Sequence, residues 1–334
     1  MANQPSNRGQ LIDGRTLDLR NRDTIALSDL SQKVEHSPYL DPEVFLDQVR
    51  ALVADLPEPL LAEVEALRND PGHPGTLLVK GMPLDPIVLG TPAAPATLQF
   101  AKRTFVSEFC LVSCGLATGT VFSFREEYGG ALVHSIVPRR FLCADTGHFG
   151  ASNLDFHTEF AWSRIRPEFV LLYCIRNDHD RRARTLVANV GAAAQLLGSK
   201  KELLTRPLFR LGAPDSIQHL LQKEDTWTEP VAVLREEPQP TVARVNFTFV
   251  QPETHDAGRA LRDFHDALSV VARSHQLLPG QLLILDNRRV VHARNSYSPK
   301  FDGRDRWVQQ VYVRTDLPKD TWLVQATGVP TDSR

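Results

Sequence analysis

His157 and Glu159 stand two residues apart, and His292 follows 135 residues later in the segment Val-Val-His-Ala-Arg-Asn. Two imidazoles and one carboxylate are the ligand set of a non-haem iron site that keeps coordination positions open. On an extended strand, residues i and i+2 project to one face, so His157 and Glu159 can reach the same metal ion. His292 can join them only if the fold closes on itself. The pair alone is a weak signal. A chain with 11 His and 40 Asp plus Glu carries about one His-x-Asp/Glu pair by chance. A hydrogen-bonded structural histidine beside a surface glutamate is the plain alternative.

The chain has 334 residues, 42% hydrophobic and 23% charged, which suits a soluble globular protein with one large domain or two modest ones. A net charge of −2 supplies no electrostatic reason to bind nucleic acid or an anionic membrane, and neither is expected as a partner. The cysteines Cys110, Cys114, Cys143 and Cys174 form no C-x-x-C pair and read as reduced, buried thiols. Cys110 and Cys114, one helical turn apart, could at most chelate a stray metal. The first 15 residues lack the apolar stretch of a signal peptide. The longest apolar run, 169–175, is far too short to cross a bilayer. A cytoplasmic location is expected.

Residues 1–12 are polar and read as a disordered terminus, with a single domain over 13–334. Residues 37–70 carry apolar positions at near-3.6 spacing, including Val44, Phe45, Val49, Leu52 and Val53, broken by Leu-Pro-Glu-Pro before a second helix. Glycine-bounded 75–81 reads as a buried strand, and a helix is expected over about 97–112. From about 118 the pattern turns to strands: 120–125, 130–137, the His157 segment, 166–177 and 184–190. A helix over 191–204, an irregular stretch over 215–250 and an amphipathic helix over 255–277 follow. The last part, 281–298 and 304–317, reads as a hairpin-like pair and a final strand. Helices early (37–117) and strands later (118–317) predict an α+β unit around an antiparallel double sheet.

Two blocks carry more than periodicity. "DFHTEFAWSRIRPEFVLLYCIRNDHDRRARTLVANV" and "PGQLLILDNRRVVHARNSYSPKFDGRDRWVQQVYVRTDL" resemble the clavaminate synthase-like, taurine dioxygenase-type branch of the Fe(II)/2-oxoglutarate-dependent dioxygenases, in particular its arginine and asparagine hydroxylases. The similarity is strongest over about 120–190 and 279–317, and "GTLLVKGMPLD" resembles the family's N-terminal strand. It implies a distorted jelly-roll (double-stranded β-helix) core with surrounding helices. It implies Fe(II) held by His157, Glu159 and His292, with 2-oxoglutarate and O₂ as co-substrates. Three ligands on one face leave three positions for a bidentate 2-oxo acid and O₂. Asp286, six residues before His292, is either a turn residue or a support for a ligand.

By the same resemblance, an Arg about fourteen residues past the distal His clamps the far carboxylate of 2-oxoglutarate. Arg306 stands there, and a planar fork suits a carboxylate; Arg304 shares its strand parity as a fallback. Thr185 matches a threonine that helps to hold the co-substrate. Free-amino-acid members carry a second Arg four residues after the first, for the substrate's α-carboxylate, and here that residue is Gln310. Strand alternation keeps Gln310 on the inward face with Arg306. Its neutral amide leaves two readings open: another residue holds a free carboxylate, or the carboxyl is masked as an amide or thioester, on a carrier or off it. Glu126 or Glu127 matches the segment that meets the α-amino group. Glu236 and Glu237 fall about where the arginine hydroxylase places acids for its guanidinium, which leans the substrate towards Lys or Arg. His134 reads as structural.

The expected activity is hydroxylation of an amino acid or derivative, coupled to oxidative decarboxylation of 2-oxoglutarate to succinate and CO₂. Desaturation or cyclisation are its variants. The presence of Glu159 argues against halogenation, whose enzymes have a small residue in its place. A zinc hydrolase would use the same ligands with water and leave Arg306 and Thr185 unexplained; a catalytically silent jelly-roll binding protein would not need the triad.

Overall fold

The computed structural model describes residues 14–93, 97–140, 151–221, 226–236 and 240–327. The expected disordered terminus, 1–12, lies outside them, as does Glu237.

Two sheets form the core. The larger has eight strands, with a central run of Thr76–Lys80, Leu282–Asp286, Phe169–Arg176, Trp307–Arg314 and Thr120–Phe124. His134–Ile136 adds to the Trp307–Arg314 strand. The smaller has four strands in the order Arg273–His275, Thr185–Asn189, Val290–Arg294 and Leu154–His157. All pairs of the smaller sheet are antiparallel. This is the jelly-roll core with surrounding helices.

Strand alternation sorts side chains into layers. From the larger sheet, Phe169, Leu171, Tyr173, Ile284, Trp307 and Val311 pack against an outer helical layer. Their neighbours Val170, Leu172, Leu283, Leu285, Val308 and Tyr312 face inward, where they meet Val187 and Val290 of the smaller sheet. On the far side of the smaller sheet, Ala188, Val291 and Ala293 pack against helices Val190–Leu197 and His255–Val271. The second of these buries Ala257, Ala260, Leu261, Phe264 and Leu268, as its periodicity requires.

Several elements differ from the sequence expectation, among them the amphipathic helix expected over 255–277, which ends at Val271 where Arg273–His275 joins the smaller sheet. Helix Pro42–Leu52 buries Phe45, Leu46 and Val49, while Val44 is exposed. The helix expected over 97–112 splits into Leu98–Ala101 and Val106–Thr118. The cause is tertiary: the Asp85 carboxylate accepts from the backbone N–H groups of Val106 and Ser107, at 3.1 and 3.4 Å, and so caps the second piece from another segment. The helix expected over 191–204 is α-helical over Val190–Leu197 and turns into a 3₁₀ helix over Gly198–Thr205. Among the described residues no helix is long and apolar enough to cross a membrane.

Candidate metal centre and anion pocket

His157 ends the strand Leu154–His157 and pairs directly with His292 across the smaller sheet. Glu159 follows two residues on, as the parity argument requires, and all three side chains are buried. Their ligand atoms lie within 4.8 Å of one another. Glu159 Oε1 is 3.6 Å from His157 Nε2 and 3.4 Å from His292 Nε2. His157 Nδ1 lies 2.9 Å from the Asp155 carbonyl oxygen. That contact places the proton on Nδ1 and leaves Nε2 as the electron-pair donor. Three buried donors converging on one point suit a divalent transition metal.

Local structure holds this geometry. The Glu159 backbone N–H donates to Asn287 Oδ1 at 2.7 Å. Asn287 Nδ2 donates back to the Glu159 carbonyl at 3.2 Å and to the Pro167 carbonyl at 2.9 Å. Thr158, pointing the other way, donates its hydroxyl to the Val245 carbonyl. Phe160 takes a left-handed φ of 53°, a turn that a bulky residue adopts only under tertiary constraint. Its ring stacks on Phe124 with centroids 3.8 Å apart.

Glu159 and His292 line a small cavity of about 30 Å³ together with Thr185, Arg294, Arg306 and Gln310. Thr185 starts its strand opposite Arg294 in register. Arg306 is buried just before Trp307–Arg314. Burial pulls the Arg294 guanidinium down to about 10, and the neighbouring charge of Arg306 adds to the effect. Two buried guanidinium groups on one cavity make a site for an anion carrying more than one carboxylate.

Gln310 Nε2 donates to Glu159 Oε1 at 3.3 Å. Gln309, its neighbour on the strand, points to the opposite face and donates to Glu108 at 2.7 Å. Glu127 is buried, with Oε2 3.8 Å from His134 Nδ1. Burial, then the charges of Glu127 and Glu159, hold the Tyr128 and Tyr312 phenols well above their ordinary range.

Other candidates sit elsewhere. Glu126 Oε2 accepts from the Ala326 backbone N–H at 3.0 Å. Glu236 pairs with Lys201 at 2.5 Å and lines cavities that contain none of the three metal-ligand candidates. The segment that bridges to His157 carries Asn246, not an acid. Arg304 is exposed and donates its backbone N–H to Asp302. Asp286 is taken up by Arg288 and Arg289 beyond its strand, the turn reading. His134 donates to or accepts from Ser123 Oγ at 2.9 Å and stacks on Tyr128. Cys110 and Cys114 are buried in Val106–Thr118, where burial pushes the Cys114 thiol up to about 12. A cavity of about 840 Å³ lies behind the ligand strand, with Thr158, Arg166, Arg244 and Asn287 on its wall.

Sequence reasoning missed Asn287, Arg294 and Tyr312. Arg294 was within reach of parity, standing two residues after His292 on the same face. Asn287 left no signal, because its partners lie more than a hundred residues away.

The chain is 34% identical over 274 residues to L-asparagine oxygenase of Streptomyces coelicolor, covering 81% of this chain and 80% of that protein. It is 30% identical over 295 residues to clavaminate synthase 2 of Streptomyces clavuligerus, covering 86% and 88%. A crystal structure of asparagine oxygenase in complex with Fe(II), 2S,3S-3-hydroxyasparagine and succinate superposes with a TM-score of 0.85 at 29% identity, over 93% of this chain and 99% of that one. The model of the taurine catabolism dioxygenase TauD, TfdA family matches residues 46–312. With four-fifths of its length inside that match, the chain belongs to the TauD, TfdA family and is an iron- and 2-oxoglutarate-dependent oxygenase.

Proposed function

We propose that the chain hydroxylates an amino acid or a close amino-acid derivative, with Fe(II) held by His157, Glu159 and His292. The observation that carries this reading is the convergence of three buried donors, two of them (Glu159 and His292) on the wall of a cavity that two guanidinium groups also line. When bound, iron and 2-oxoglutarate supply the oxidation of an unactivated C–H bond by O₂, with release of succinate and CO₂.

The protein's own residues supply position and charge. Arg306 would hold the far carboxylate of 2-oxoglutarate, for which its planar fork is suited, the Thr185 hydroxyl would add a hydrogen bond, and Arg294 would balance the remaining negative charge. Glu127, buried beside Tyr312, is suited to an α-ammonium group. Asn287 keeps the Glu159 backbone still while its carboxylate is engaged. Glu236 lends no support to a cationic substrate side chain, since Lys201 already occupies it. The asparagine oxygenase likeness favours a compact, uncharged side chain instead. A zinc hydrolase or a silent binding protein would have no use for the buried Arg294–Arg306 pair.

Anaerobic titration with Fe(II) and 2-oxoglutarate tests the cofactor reading through the weak visible charge-transfer band of that complex. Loss of the band in His292→Ala is expected. A panel of L-amino acids and their derivatives, read by mass spectrometry for succinate and for product carrying one added oxygen atom, tests the reaction. Products lacking two hydrogens and gaining no oxygen would move the assignment to desaturation or cyclisation.

A further inference from the structure

We infer that Gln310 selects a substrate whose carboxyl group is carried as an N–H-bearing amide and not as a free carboxylate. This rests on the hydroxylase reading and sharpens it to a substrate class.

Gln310 is 1% exposed, held in the middle of Trp307–Arg314 between His134 on one neighbouring strand and Leu172 on the other. Its orientation is set by Glu159. An amide beside a carboxylate must turn its N–H₂ end towards it, because the reverse would oppose two acceptors. The 3.3 Å contact from Nε2 to Glu159 Oε1 is that arrangement. The amide oxygen is thereby turned away from Glu159. Among the described residues Oε1 is buried and has no hydrogen-bond partner, while the residue lines the cavity with Glu159, His292 and Arg306.

A buried acceptor without a donor is unfavourable unless something brought into the cavity supplies one. A substrate carboxylate would instead add two acceptor oxygens and a negative charge, next to this oxygen and to Glu159. An ester or thioester is neutral but has no N–H to give. A carboxamide has both properties: no charge and a donor. The α-ammonium does not compete for this place, since the buried Glu127 carboxylate is a far better partner for a cation.

The test is calorimetric binding to the anaerobic Fe(II)–2-oxoglutarate complex, so that no turnover enters the reading. Each of a panel of L-amino acids is offered as the free acid, the α-carboxamide and the methyl ester. The best-binding side chain should favour the carboxamide over both other forms by about tenfold or more. Gln310→Met, close to isosteric, should lose the preference of amide over ester while keeping the charge-transfer band that reports an intact site. Gln310→Arg should turn the preference towards the free acid. Ester binding equal to amide, free acid binding equal or tighter, or a preference unchanged in Gln310→Met overturns the inference alone. Failure of the wild type to form the band removes the oxygenase reading, and the inference with it.

Discussion

Asn287 shows how much one side chain can hold. Its amide spans the Glu159 N–H, the Glu159 carbonyl and the Pro167 carbonyl, all buried. Asn287→Ala removes these at once and leaves buried backbone groups unpaired, each costing about 1–3 kcal/mol. Urea denaturation should register a loss of that size. Metal affinity, measured by Fe(II) titration, should fall on the order of 10–100-fold, as for other residues that orient a ligand from behind. Arg306 makes a second case. Arg306→Lys keeps the charge and loses the fork, so the dissociation constant for 2-oxoglutarate should rise by about tenfold or more while Fe(II) binding is retained. Unchanged 2-oxoglutarate affinity would remove Arg306 from its assigned place. At this scale the residue types of the ligand group and their two-residue parity were legible in the sequence. The choice of Glu127 over Glu126 for the interior was not, because it depends on the Ala326 N–H, two hundred residues away, which takes Glu126.

Among the elements, the strand Trp307–Arg314 links the site to the outer helical layer. Gln310 faces Glu159 and Gln309 faces Glu108, so one strand touches both the metal group and a buried ion cluster. In that cluster Lys102 Nζ lies 2.8 Å from Asp85 and 2.5 Å from Glu108, all three buried. Burial pushes the Asp85 carboxyl up, but the Lys102 charge and its hydrogen bonds pull harder and hold it below the usual range. Removing the cation alone strands two buried carboxylates. Lys102→Met should therefore cost about 3–5 kcal/mol in denaturant unfolding, and a cost under about 1 kcal/mol would show the cluster to be dispensable. Periodicity predicted most of these elements, since alternation and 3.6-residue spacing are local properties. It ran one helix through 102–105 because nothing nearby in sequence announces that Asp85 will cap the second piece.

As a whole molecule, the protein closes two sheets over a small polar interior whose metal-ligand candidates, far apart along the chain, come together on neighbouring strands of the smaller sheet. Such a site is assembled only by the folded chain, so its ligands bind the native state and stabilise it. Fe(II) with 2-oxoglutarate at a hundredfold excess over their dissociation constants should each add about 2.7 kcal/mol to stability. Thermal unfolding under anaerobic conditions should show an upward shift in Tm that depends on concentration and is absent in His292→Ala. An equal shift in that variant would place binding elsewhere. What the amino-acid sequence determined by itself was the chemistry on offer: two imidazoles and a carboxylate, their strand parity, an inward arginine and an inward glutamine. Tertiary structure alone decided what each of them meets. Glu236 turned out to be spent on Lys201, Arg294 joined Arg306, and Gln310 was turned by Glu159. The reason is physical: backbone geometry along a strand settles which face a side chain takes, whereas its partners come from other segments of the chain, brought opposite it only when the sheets close.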